Sequence, residues 1–281
     1  MTTAFAPLHG LRILSLALNL PGPAALLRCR RLGAHCVKLE PPSGDPMGHY
    51  EPAAYAELHE GVTVLQADLK TGEGQAVLQR ELAQADVLLT SFRPSALRKL
   101  GLGWQELHDR HPTLSQVAIV GAAGGRAEEP GHDLTYLAEH GLVTGLDLPP
   151  TLYADMSGAL LACEAVLQAA LSKDEGRYLE VPLADAAGWL ALPRRWGLTQ
   201  RTGAVGGAHA GYRVYACRDG RVAVAALEPH FARRLCGLAG ADAEMNATAT
   251  HEAVAAFFAK RSRADIDALA VQQDLPLHTL P

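Results

Sequence analysis

The sequence predicts an α/β protein whose large domain is a doubly wound, mostly parallel sheet, followed by a smaller α+β domain. Three observations carry this. Short β-prone runs alternate with helical stretches through the first two-thirds of the chain. Those runs are apolar on consecutive residues, as expected of strands covered on both faces. After an irregular stretch, a D-G pair separates two further β-prone runs, the local signature of a hairpin.

Taken in order, Leu11 to Leu16 reads as the first strand, Pro21-Gly22-Pro23 as a turn, and Ala24 to Leu32 as a helix stopped at Gly33. Cys36 to Glu40 is the second strand and Val62 to Ala67 the third. Gly72 to Ala85 is helical, Asp86 to Thr90 and Gln116 to Val120 are strands, and another helical piece lies between them. Asp155 to Leu171 is dominated by small and apolar residues, broken by Glu164 and Gln168, and reads as a largely buried helix too mixed to span a membrane. Tyr178 to Leu183 supplies one more strand. This is a Rossmann-like order, with residues 1–190 as the large domain.

Residues 191–210 carry Pro193, a basic pair, Gly203, Gly206 and Gly207, and read as a linker. In residues 211–281, Tyr212 to Ala216 and Val222 to Ala226 flank Arg218-Asp219-Gly220 as a hairpin, and helical segments are expected from there to the carboxyl end.

The 281 residues are 48% hydrophobic and 20% charged, a globular balance, with a formal charge of -5. No broad basic field is present to draw in nucleic acid or an anionic membrane, so neither is expected as a partner. The five cysteines are scattered and never spaced C-x-x-C, which argues against a disulfide framework or a zinc site and for a reducing, cytoplasmic setting; no metal is expected. Leu11 to Leu20 is apolar but lacks a preceding basic region and runs into Pro21, so it reads as a buried strand and not as a signal peptide.

Generic motifs exclude several chemistries. No G-x-G-x-x-G follows the first strand, no G-x-x-x-x-G-K-[ST] occurs, and no G-x-S-x-G elbow is present. Gly121 to Gly125 follows a strand and reads either as a place where backbone N–H groups approach a ligand or as a plain surface loop.

A collinear set of segments resembles the family III CoA transferases and their relative α-methylacyl-CoA racemase. It comprises Leu32-Gly33-Ala34 leading to Val37-Lys38-Leu39-Glu40, then Gly44-Asp45-Pro46, Asp68-Leu69-Lys70-Thr71, Ala85-Asp86-Val87-Leu88, and Phe92-Arg93-Pro94 through Leu100-Gly101-Leu102-Gly103. Two later segments carry the chemistry: Pro130-Gly131-His132-Asp133-Leu134-Thr135-Tyr136 and Ala154-Asp155-Met156-Ser157-Gly158. The resemblance implies an enzyme with an acyl-CoA thioester as substrate and no tightly bound cofactor. It implies that Asp155 is the active-site carboxylate, with His132 and Glu228 as further catalytic residues and Arg93, Lys99 and Lys38 as the cations that meet CoA. His132, together with Ala226-Leu227-Glu228-Pro229, is more similar to the racemase branch than to the transferases, where tyrosine commonly replaces the histidine.

The residues themselves admit several chemistries. Racemising an α-carbon beside a thioester requires a base on one face, an acid on the other and donors for the enolate oxygen; His132 and Asp155 fit the acid–base pair. CoA transfer between carboxylic acids would instead use Asp155 as a nucleophile, through an acyl anhydride and an aspartyl-CoA thioester. Structural roles stand beside these: Asp155 as a helix cap, His132 as a hydrogen-bonding residue, Asp133 as its orienting partner or an ion-pair residue, Glu228 as a charge at a helix N-terminus.

The sequence also departs from the family pattern. Leu58-His59-Glu60-Gly61-Val62-Thr63-Val64 stands where relatives carry a basic cluster, and Pro41 and Pro42 follow Glu40 where an arginine is usual. This loss keeps a third reading in view, a non-catalytic acyl-CoA-binding protein. The chain is shorter than family members after Glu228, in the segment that helps interlock two subunits as rings, so a homodimer is expected with its interlock in question.

Overall fold

The computed structural model describes residues 5–172, 174–242 and 244–281. It divides into two compact units, Met1–Ala191 and Leu192–Pro281.

The first unit is built on six parallel strands, β1 (Arg12–Ser15), β2 (His35–Glu40), β3 (Thr63–Gln66), β4 (Val87–Thr90), β5 (Ser115–Val120) and β6 (Tyr178–Pro182), in the order β3-β2-β1-β4-β5-β6. Alternation along each strand feeds two cores. Ile13, Leu89 and Val117 point into one with the helices Pro21–Arg31, Tyr153–Leu171 and Leu183–Leu190; Leu14, Leu88 and Leu39 point into the other, against the helix Gly72–Leu82. Both faces are covered, which is why the strands read as continuous apolar runs.

Pro21-Gly22-Pro23, expected as a turn, is the first turn of the Pro21–Arg31 helix. Proline suits that position because its missing N–H would have no partner there. Gly22 packs so closely on Ala17 that any Cβ would collide with the Ala17 side chain. The Tyr153–Leu171 helix has the length and apolarity of a membrane span, but its Ala162, Val166 and Ala169 are buried in the core of this unit.

The second unit holds an antiparallel sheet of β7 (Tyr212–Cys217), β8 (Gly220–Ala225) and β9 (Leu277–Leu280) in that order. The D-G signal marks the β7–β8 turn, where Cys217 pairs with Gly220. β9 differs from the expectation of helix to the carboxyl end: four residues after Pro276 pair antiparallel with β8, Arg221 opposite Leu280. A strand that short is stabilised by its distant partner and not by local propensity. Tyr215, Leu235, Phe258 and Ile266 fill the core between this sheet and the helices Pro229–Ala239, Thr248–Ala259 and Arg263–Gln272.

Candidate active site

The strand order reverses between β1 and β4, and open parallel sheets bind ligands in the crevice beyond the carboxyl ends of the strands at such a point. A cavity of about 490 Å³ lies there. Leu18 and Asn19 after β1, Phe92 and Arg93 after β4, and Gly121 after β5 form part of its wall, and His132, Tyr136 and Asp155 face it from the segments that follow. The Leu18 N–H donates to the Ser91 hydroxyl at 3.1 Å, tying the β1 and β4 loops together.

Asp155 sits in the first turn of the Tyr153–Leu171 helix and is half-buried. Burial is the main cause that lifts its carboxyl from 3.8 to about 6; the Asp133 charge adds to the rise and His132 opposes it. The group therefore titrates close to neutral pH, where a side chain that both takes and gives protons works best. Asp133, buried at 5% exposure, accepts the Asp155 backbone N–H at 3.0 Å. Asp133 is thus neither a hydrogen-bond nor an ion-pair partner of His132 but a cap borrowed by the neighbouring helix. It also occupies one of the backbone donors at the N-terminus of the Tyr153–Leu171 helix.

His132 precedes the Asp133–Glu139 helix, with an exposed side chain. Its backbone is fixed by Thr135, whose hydroxyl accepts the His132 N–H at 3.0 Å and donates to the His132 carbonyl at 2.7 Å. His132 lines the same cavity as Asp155.

Arg93 lines the cavity at the N-terminus of the Pro94–Lys99 helix, and Lys99 ends that helix. Both are exposed, and among the described residues neither makes an ion pair, whereas Arg98 between them reaches Glu128 at 3.6 Å. Of the two, Arg93 borders the crevice, where an unpaired guanidinium suits a phosphate group; Lys99 is not part of the cavity wall.

Lys38 is different. Expected as a CoA contact, it is fully buried, with its ammonium 3.0 Å from Glu40, 2.5 Å from Asp45 and 2.8 Å from His59 Nε2. His59 Nδ1 donates to the Tyr55 carbonyl at 2.7 Å, which leaves Nε2 to accept from Lys38; burial, with Lys38 adding, lowers the His59 pKa. Glu40, Asp45 and His59 present ligand atoms within 4.8 Å of one another, the spacing of a cation site, and the Lys38 ammonium is the cation they hold. The physical reason is the strand: Lys38 and Glu40 both lie in the buried end of β2, where an unpaired charge is costly. The network still reaches the cavity, because Asp45 accepts the N–H of Asn19 at 3.1 Å and Asn19 takes a left-handed conformation, φ 63°.

Glu228 belongs to the second unit, where it is exposed at the N-terminus of the Pro229–Ala239 helix and makes no side-chain capping bond. That unit also carries a larger hollow of about 860 Å³ against β7 and β8, but no carboxylate or thiol lines it. Of the glycines after β5, Gly121 borders the cavity and Gly124 donates its N–H to Glu180 at 2.9 Å.

The sequence profile of CoA-transferase family III matches residues 8–280. The chain belongs to CoA-transferase family III. Among curated relatives, it is 30% identical over 197 residues to a "Probable fatty acyl-CoA transferase" of Mycobacterium tuberculosis, covering 62% of this chain and 49% of that protein. It is 34% identical over 172 residues to the succinyl-CoA–D-citramalate CoA-transferase of Chloroflexus aurantiacus, covering 56% of this chain and 42% of that one. It is 27% identical over 245 residues to human α-methylacyl-CoA racemase, covering 80% and 62%. The chain thus spans about half the length of the first of these relatives and less of the second. The fold is shared with a Mycobacterium tuberculosis crystal structure at a TM-score of 0.84 and 24% identity, covering 97% of this chain and 85% of that one. A Brucella suis structure gives a TM-score of 0.80 at 24% identity, covering 98% and 84%.

Proposed function

We propose that this family III chain moves the α-proton of a 2-methylacyl-CoA, with Asp155 and His132 as the acid–base pair. The observation that carries the reading is Asp155, a carboxyl lifted to about 6 in a cavity that His132 shares. One of the two groups takes the α-proton, leaving an enolate, and the other returns a proton to the opposite face. The similarity to human α-methylacyl-CoA racemase supports this choice. A second reading, CoA transfer between carboxylic acids with Asp155 as nucleophile, is supported by the names of the transferases among the relatives. The chain is read as a cytoplasmic homodimer in either case.

His132→Ala separates the two. In the proton-transfer reading it lowers the rate of α-exchange by about 10²- to 10⁴-fold and leaves any CoA transfer within tenfold. Equal losses in both assays would count against His132 as a proton carrier.

The two exposed cations of the Arg93–Lys99 segment give a further expected result. Replacing Arg93 and Lys99 together with alanine weakens CoA binding about tenfold or more, and the remaining affinity is less sensitive to salt, because each phosphate contact carries a charge-assisted hydrogen bond. Calorimetric titration at two ionic strengths checks this; an unchanged, salt-insensitive affinity would move the phosphates elsewhere.

A further inference from the structure

We propose that a notch beside the β5–β6 edge of the six-stranded sheet is a second binding site, for a small, neutral, planar aromatic molecule that carries an N–H donor. A cavity of about 380 Å³ opens there between the Pro94–Lys99 helix, the start of the Trp104–Arg110 helix, Gln116 and Tyr178. None of its wall residues borders the Asp155 cavity. Strand register builds it. Val117 and Leu179 face the core that holds the Tyr153–Leu171 helix, so Gln116 and Tyr178, opposite one another in β5 and β6, stand on the other side of the sheet. β6 is the last strand, and the Trp104 ring approaches that of Tyr178 to 5.9 Å between centroids, which gives the notch two aromatic walls. His108 packs on Trp104 at 4.8 Å and holds that ring in place.

Gln116 is the group that asks for a ligand. It is 1% exposed, and its Nε2 donates to the Leu102 carbonyl at 3.2 Å. That bond fixes the amide, since a flipped one would set two oxygens together. The remaining Oε1 is shielded from solvent and has no hydrogen-bond partner among the described residues. Buried acceptors are ordinarily paired, and this one belongs to the wall of a cavity with room for a donor. Trp104 and Tyr178 are both partly exposed, so their rings are free to turn aside as a donor reaches Oε1. The charges at the rim are already paired: Arg98 lies 3.6 Å from Glu128, and Glu106 lies 3.3 Å from Arg110. Apolar and aromatic walls with one convergent acceptor select a neutral ring bearing a donor.

The test titrates the isotope-labelled full chain with indole and with N-methylindole, which keeps the ring system but not the N–H, and follows the side-chain N–H signals of Trp104 and Gln116 by NMR. Indole is expected to bind about 3- to 10-fold more tightly than N-methylindole and to move both signals, whether or not saturating CoA is present. Gln116→Leu, which removes the acceptor and keeps the bulk, brings indole down to the affinity of N-methylindole with little change in Tm. Trp104→Ala, at a partly exposed position, weakens both ligands by about 3- to 10-fold. Equal affinity for the two ligands would overturn the proposal and give Oε1 to a buried water instead. So would a preference that survives Gln116→Leu, shifts confined to residues away from Trp104, or no binding of indole at all. Indole displaced by CoA would also overturn it, because the ring would then lie in the coenzyme's own path and not in a second site.

Discussion

Asp155→Asn is expected to lower α-proton exchange by about 10³- to 10⁴-fold while making the protein more stable at neutral pH. The amide fits the same space but cannot cycle between acid and base. Its stabilising effect follows from the sign of the pKa shift. The folded protein binds the Asp155 proton more tightly than the unfolded chain does, since its carboxyl titrates at about 6 and not at 3.8. Stability is therefore greatest below the unfolded value and declines as pH rises through the folded one, because burial and the Asp133 charge both oppose the carboxylate. Removing the charge relieves about 1–3 kcal/mol above pH 7 and nothing near pH 4, which in a chain of this size is several degrees of Tm. Thermal melts of both proteins at pH 4.5 and 7.5 check the difference. A variant with no gain at pH 7.5, or with exchange intact, would show that Asp155 is neither strained nor chemical.

Lys38→Met carries the other large effect, on stability. Glu40 and Asp45 are buried at 2% exposure each, and the Lys38 ammonium is the charge that compensates them. Removing it leaves two uncompensated carboxylates in the interior, at a cost of about 3–5 kcal/mol. Because Asp45 also accepts the amide of Asn19, the β1 loop beside Asp155 loses its anchor and CoA binding weakens with stability. Adding Asp45→Asn to Lys38→Met recovers part of the stability by removing one stranded charge, while the Asn19 contact is only partly restored. Urea titration with the slope held equal measures the loss; a midpoint shift equivalent to less than about 1 kcal/mol would mean that water, and not Lys38, compensates these carboxylates.

The sheet was legible because its strands are covered on both faces, so Ile13, Leu14, Leu88 and Leu89 all had to be apolar whichever way they point. β9 was not, since residues Leu277–Leu280 take their conformation from pairing with β8 more than fifty positions earlier. The position of Asp155 at the start of an apolar helix was visible in its segment, but its raised pKa was not, because that depends on burial and on Asp133, brought there by the preceding helix. Lys38 misled for a related reason. A lysine in a strand reads as surface, and only the convergence of Glu40, Asp45 and His59 from three segments makes an interior place for it.

The reaction itself is tested most directly by incubating the protein with one enantiomer of a 2-methylacyl-CoA in deuterated water, with no acceptor acid present, and following the α-carbon by mass spectrometry and NMR. α-Deuterium incorporated into the recovered thioester with inversion of part of the pool, and no hydroxylamine-sensitive adduct on the protein, is the predicted result. An Asp155–CoA thioester trapped during turnover with an acceptor acid, with the α-hydrogen retained throughout, would contradict it and assign the carboxylate to CoA transfer.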